Sequence, residues 1–267
     1  MRERVADHEV TGVLGAGADG MAYLAVPAGR LRVGGDPVVV TVLSGPADDD
    51  AYGRVNAVLA TAGALGPPHL ARLHEVGRDE GAVFHVREHL PLGSLAAPVV
   101  ALDRAKVLLA VAGAARAVHA LHEAGLAHRG IAPGAVLLHP DGIRLGPPRL
   151  LHLLAAGRTL TAAAAAGVVE FVDPALLRGE RGGRRSDIWS LGAVLHRGLT
   201  GSGIYGELPP DPVPCVRRVL TTPPVLHSGL SPAEAEVVRA CLEPDPGARL
   251  ATAAELADRI DALGGPS

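Results

Sequence analysis

Few residues of this chain combine the types and spacing that chemistry needs. Gly15, Gly17 and Gly20 stand in G-x-G-x-x-G register. The run from residue 10 to residue 25 reads as strand, glycine turn, strand. Backbone N–H groups of such a turn can cradle phosphates, although a plain glycine-rich hairpin has the same pattern. A second strand follows the turn where a dinucleotide site would have a long helix, which argues against that class. Asp19 at the tip places a carboxylate where phosphates would sit and would repel them. Lys106 is the only lysine and lies in a helical stretch remote from the turn. Arginine does not stand in freely for a compact ammonium in a phosphate site. Cys215 and Cys241 lack metal-ligand spacing and are expected to be buried free thiols. His119 and His122 have no cysteine or acidic cluster beside them and read as helix-face residues, so no metal is expected.

The elements that must position these groups follow from the pattern. The 267 residues suffice for one large domain or two modest ones, and a 48% hydrophobic share with 2% aromatics implies a core of Leu, Val and Ala. A net charge of −3 with no basic run gives no reason to expect nucleic acid or an anionic membrane surface. With no apolar run of spanning length and no secretory leader pattern, a cytoplasmic chain without a membrane span is expected. Residues 37–43 are a strand by their β-branched content. Helices are expected over 51–65 and, N-capped by Asp103, over 102–123. Asp141-Gly142 marks a hairpin turn, Ser186 or Asp187 caps a further helix that Gly201 stops, and Ser231…Glu234 and Thr252…Glu255 are capping boxes.

Between the long helix and the next strand lies His128-Arg129-Gly130-Ile131-Ala132-Pro133-Gly134-Ala135-Val136-Leu137-Leu138, and further on come Ser186-Asp187-Ile188-Trp189-Ser190-Leu191-Gly192 and Cys241-Leu242-Glu243-Pro244-Asp245-Pro246-Gly247-Ala248-Arg249. In these stretches, and in their order over about residues 10–263, the chain resembles the eukaryotic-like (bacterial Hanks-type) Ser/Thr protein kinases. The resemblance implies an α+β, two-lobed fold: a β-rich N-lobe over 1–90 with its hinge near 87–93, and a mainly helical C-lobe over 91–267. It also implies roles by position. Thr41 takes the place of the phosphate-binding lysine, and Asn56 is the nearest match for the helix glutamate that pairs with it. Gly130 replaces the catalytic aspartate, Ala132 the following lysine, and Ala135 and Pro147 the two metal ligands. Gly15, Gly17 and Gly20, with hinge backbone groups of Glu88 and Leu90, are the residues left to hold a nucleotide. Arg87 takes the gatekeeper position, either crossing the pocket or reaching out to the Glu88 carboxylate. His128, Arg129, Asp187, Trp189 and Arg249 match scaffold positions. Arg249 loses its usual partner at Ala175 unless Glu170, Asp173 or Glu180 substitutes.

The scaffold set is retained and the chemical set is missing, a pattern that random decay would not produce. The expectation is a pseudokinase that docks a protein partner, such as an active kinase, with no cofactor. The alternatives left open are a Ser/Thr kinase with displaced catalytic groups, and a sensor that binds ATP without Mg²⁺. Residues 150–169 would form the activation segment, where Thr159 and Thr161 are candidate phosphate acceptors and Arg129 and Arg144 the nearest cations.

Overall fold

In the computed structural model, residues 2–264 are described apart from 18, 67 and 155–165. The first half builds one antiparallel sheet and a helix: β1 (Arg4–Val5), β2 (His8–Ala16), β3 (Gly20–Val26), β4 (Val38–Pro46), α1 (Asp49–Leu65), β5 (Leu73–Asp79) and β6 (Ala82–Glu88), with strand order β1-β2-β3-β4-β6-β5. Alternation decides its two faces. Val38, Val40, Phe84 and Val86 bury on one side with Val5 and Ala25, which turns Thr41, His85 and Arg87 to the other. Gly20 is obligatory where β3 begins, since a Cβ there would lie 1.9 Å from the Val42 carbonyl oxygen.

β7 (Gly93–Ser94) and β8 (Ala97–Pro98) lead into α2 (Arg104–Glu123). Asp103 caps α2, accepting from the Lys106 N–H at 2.8 Å, as the sequence predicts. Then come β9 (Val136–His139), β10 (Gly142–Leu145), α3 (Leu151–Leu154), α4 (Ala166–Val169), α5 (Pro174–Leu177), α6 (Arg184–Thr200), α7 (Pro212–Thr221), α8 (Pro232–Cys241) and α9 (Ala253–Leu263). The large core gathers around α2 and α6, where Val111, Val118, Leu121, Leu191 and Leu195 are fully buried. With few aromatic rings available, small residues close the distances: a Cβ on Gly192 would fall 2.4 Å from Cβ of Cys241 on α8. Cys215 and Cys241 are buried free thiols, and burial pushes the Cys241 thiol up to about 12.

Two capping expectations change. The N-cap of α6 is Gly183, which makes no side-chain cap; Ser186 and Asp187 lie inside the first turn. Asp187 cannot cap because its carboxylate is committed elsewhere, as described below. Ser231 and Glu234 form the reciprocal box, whereas Glu255 accepts from the Ala251 N–H, leaving only the Thr252 half of the second.

Candidate functional site

A cavity of about 1290 Å³ lies between the sheet and the helical part. Its roof is the second face of the sheet. Ala22 pairs with Thr41, Thr41 with His85, and Arg87 follows two residues along β6, so the four share one face. Gly130, Ala132, Ala135 and Pro147 line the opposite wall. Hydrogen, methyl groups and a proline ring therefore face the cleft there, and none offers a side-chain oxygen or ammonium.

Arg87 settles between its two expected courses. Its guanidinium lines the cleft, and Nη1 donates to the backbone carbonyl of Glu88 at 2.8 Å. It makes no ion pair with the Glu88 carboxylate, which is turned to the Arg72 N–H at 2.7 Å. Burial pulls the Arg87 pKa down to about 10 against the opposing charge of Glu88. His85 beside it is held neutral, burial and Arg87 lowering it to about 3.

The glycine loop is tied down by its own acid. Asp19 accepts from the N–H groups of Leu150 and Leu151, both at 3.0 Å, and Arg149 Nε lies 3.7 Å from its Oδ1. Burial raises the Asp19 carboxyl above its usual range, opposed by those bonds and by Arg149. Arg149 thus reaches the cleft, along with Arg87 and with Arg197, which pairs with Glu170. Arg129 is exposed, and Arg144 turns its guanidinium onto the Ile143 carbonyl at 2.9 Å.

Asn56 is corrected by the helix it sits on. It lies on the solvent side of α1, while Val55 and Leu59 face inward and pack with Leu43, Leu150, Leu151 and Leu154. An apolar seam stands where an ion pair was sought. Lys106 pairs with Asp103 on the surface at 3.4 Å, outside the cleft. Thr159 and Thr161 lie outside the described residues.

The loop from His128 to Ala135 is held from below. Asp187 accepts from the N–H groups of His128 and Arg129 and from His122 Nε2, all at 2.8 Å. This anchors Arg129 in the left-handed region at φ +59°, a conformation costing about 1 kcal/mol for a non-glycine residue. Burial keeps His128 neutral, so its Nδ1 accepts from the Gly130 N–H at 3.2 Å and its Nε2–H donates to the Gly146 carbonyl at 3.1 Å. Sequence reasoning read His122 as a simple helix-face residue and missed its bond to Asp187. The available signal was its place on an apolar helix, because a buried imidazole needs a partner. Below the loop, Arg249 holds Asp173 through two bonds, at 2.6 and 3.2 Å, and its guanidinium carbon lies 5.0 Å from the ring centroid of Trp189.

The family profile described as protein kinase domain matches residues 8–259. The chain belongs to the protein kinase domain family. Probable serine/threonine-protein kinase PkwA of Thermomonospora curvata is 29% identical over 95% of this kinase domain and 34% of that protein. Serine/threonine-protein kinase PknB of Mycolicibacterium smegmatis is 27% identical over 93% of this chain and 41% of that protein. The chain therefore spans less than half the length of these relatives. A crystal structure of the Mycobacterium tuberculosis PknI kinase domain superposes with a TM-score of 0.70 at 20% identity over 100% of both chains. A second gives 0.66 at 20% identity over 98% and 99%. At this identity the likeness is one of fold, and it agrees with the two-lobed α+β architecture. Among the described residues no helix of this kinase domain is long and apolar enough to cross a membrane, and no group of His, Cys, Asp and Glu is arranged to hold a metal ion.

Proposed function

We propose that this kinase domain is a pseudokinase: a module that binds a protein partner, such as an active kinase or another signalling protein, and transfers no phosphate. The observation that carries the reading is convergence in space. Thr41, Gly130, Ala135 and Pro147 line one cleft, and together they withhold the ammonium, the base and both metal ligands that phosphoryl transfer from Mg²⁺-ATP depends on. Loss of a general base alone would cost about 10²–10⁴-fold. Loss of the charges that neutralise the polyphosphate is harder to replace. The residues present also do not fit the nucleotide itself. Arg87 donates to the Glu88 carbonyl of the hinge, and the Asp19 carboxylate, although bonded to the Leu150 and Leu151 amides, keeps an acid in the loop whose own amides would meet phosphates.

A second reading, a weak kinase with displaced groups, draws on two facts: the curated relatives are named as kinases, and Arg149 brings a guanidinium to the cleft. Thermal-shift titration with ATP, with and without Mg²⁺, and incubation with γ-labelled ATP separate the two. The pseudokinase reading expects no magnesium-dependent stabilisation and no label on the protein. Label on this chain, absent when Mg²⁺ is chelated, supports the kinase.

A further inference from the structure

The roof of the cleft carries hydrogen-bond donors that the reading above leaves unused. Arg87 commits Nη1 to the Glu88 carbonyl, yet a guanidinium has five N–H groups in a planar fork. Among the described residues no carboxylate forms an ion pair with it. Glu88, the acid that acts on its charge, is turned to the Arg72 N–H. A part-buried cation without a paired carboxylate is incompletely compensated, so an anion that enters the cleft and satisfies the fork is favoured. Thr41 and His85 share the face with Arg87. His85 buries Nδ1 without a hydrogen-bond partner among the described residues. Around these groups the cavity wall is apolar, with Ala22, Ala135 and Leu137 among its lining residues.

We propose that this roof binds a monocarboxylate with an apolar body, its two oxygens on the Arg87 guanidinium and the Thr41 hydroxyl and its chain along Ala22, Ala135 and Leu137. A single fork matches one planar carboxylate. A phosphate dianion would call on a second cation, and the other arginines that line the cleft are already beside carboxylates, Arg149 beside Asp19 and Arg197 beside Glu170. His85 contributes an uncharged polar group and so does not change the charge that is recognised. An adenine base would compete with Arg87 for the Glu88 carbonyl, whereas a carboxylate leaves that bond in place.

The test is isothermal titration and thermal shift of the whole chain with octanoate, with octanamide as the uncharged isostere, and with inorganic phosphate. Saturable octanoate binding is expected, at least about tenfold tighter than octanamide or phosphate, and weakened by about tenfold or more in Arg87→Gln. Equal binding of octanoate and octanamide, tighter binding of phosphate, undiminished octanoate affinity in Arg87→Gln, or no octanoate binding up to about 10 mM each overturns the proposal. If circular dichroism shows Arg87→Gln to be unfolded, Thr41→Val takes its place, with a several-fold loss expected and an unchanged affinity counting against the site. The inference rests on the pseudokinase reading only in requiring Arg87 to keep the hinge carbonyl. Magnesium-dependent phosphate transfer would defeat that reading, and the octanoate-to-octanamide comparison is scored separately.

Discussion

Asp173 and Arg249 form a buried two-point ion pair, each side chain 1% exposed, with Nη1 to Oδ2 at 2.6 Å. The carboxylate sits two residues before Ala175, the position that family resemblance assigns to this partner. The guanidinium is further satisfied by the carbonyls of Arg185 at 2.9 Å and Glu243 at 2.8 Å. The anchor between the α5 segment and the α8–α9 connection is thus kept, with its acid displaced along the chain.

Removing one partner of such a pair leaves a buried charge alone, which costs about 3–5 kcal/mol. Asp173→Ala is expected to lower the urea-unfolding free energy by that amount, and Ala175→Glu in the same chain to recover part of it. A loss under about 1 kcal/mol would show that backbone carbonyls suffice for Arg249.

Asp187 accepts from two loop amides and one imidazole, and hydrogen bonds to a charged group contribute about 1.5–3 kcal/mol each. Asp187→Ala should destabilise by roughly 3 kcal/mol or more, with Arg129 relaxing from its left-handed backbone. Hydrogen exchange at the His128 and Arg129 amides reads this directly. Unchanged protection there would contradict the assigned anchor.

The folded pKa of Asp19 lies above its usual 3.8 because of burial. The folded protein therefore takes up this proton more readily than the unfolded chain. The group's contribution to stability is fullest below 3.8 and is lost as pH rises through the folded value. Asp19→Asn, uncharged at every pH, lacks this titration, so the stability of the wild type relative to the variant is expected to rise on acidification. Thermal unfolding of both proteins across pH checks the sign, and a wild type that loses ground to the variant in acid would reverse it.

Restoring the missing groups should not by itself restore nucleotide binding. A Cβ on Gly130 would meet Cβ of Arg149 at 3.1 Å, so Gly130→Asp forces that neighbour to shift. The chain carrying Thr41→Lys, Gly130→Asp, Ala135→Asn and Pro147→Asp is expected to gain magnesium-dependent stabilisation by ATP only when Arg87→Ala clears the hinge carbonyl. Equal stabilisation with Arg87 intact would show that its guanidinium does not obstruct adenine.

Much of this architecture is legible along the chain. The β-branched run at Val38–Leu43, the Asp103 and Ser231 caps and the Gly201 stop each depend on interactions within a few residues, so local spacing reports them. Thr41, Ala135 and Pro147 were singled out by the resemblance to kinase motifs, and side-chain type then decides that none of them offers an ammonium or a carboxylate. The glycine loop's partner was not, since the Leu150 amide is 131 residues from Asp19. Asn56 was misjudged because the inward face of α1 is chosen by what packs on it, Leu150 and Leu154 among others.

The sequence by itself determined much of the element order, through residue type and short-range periodicity, while its resemblance to the protein kinases implied the two-lobed class and the positions to compare with catalytic ones. The tertiary structure alone decided which groups satisfy one another: Asp173 with Arg249, Asp19 with the Leu150 and Leu151 amides, Arg87 with the Glu88 carbonyl instead of its carboxylate. Hydrogen bonds act over about 3 Å and demand alignment. Partners drawn from distant segments are therefore selected only when the backbone brings them together, as the Arg72 amide meets the Glu88 carboxylate.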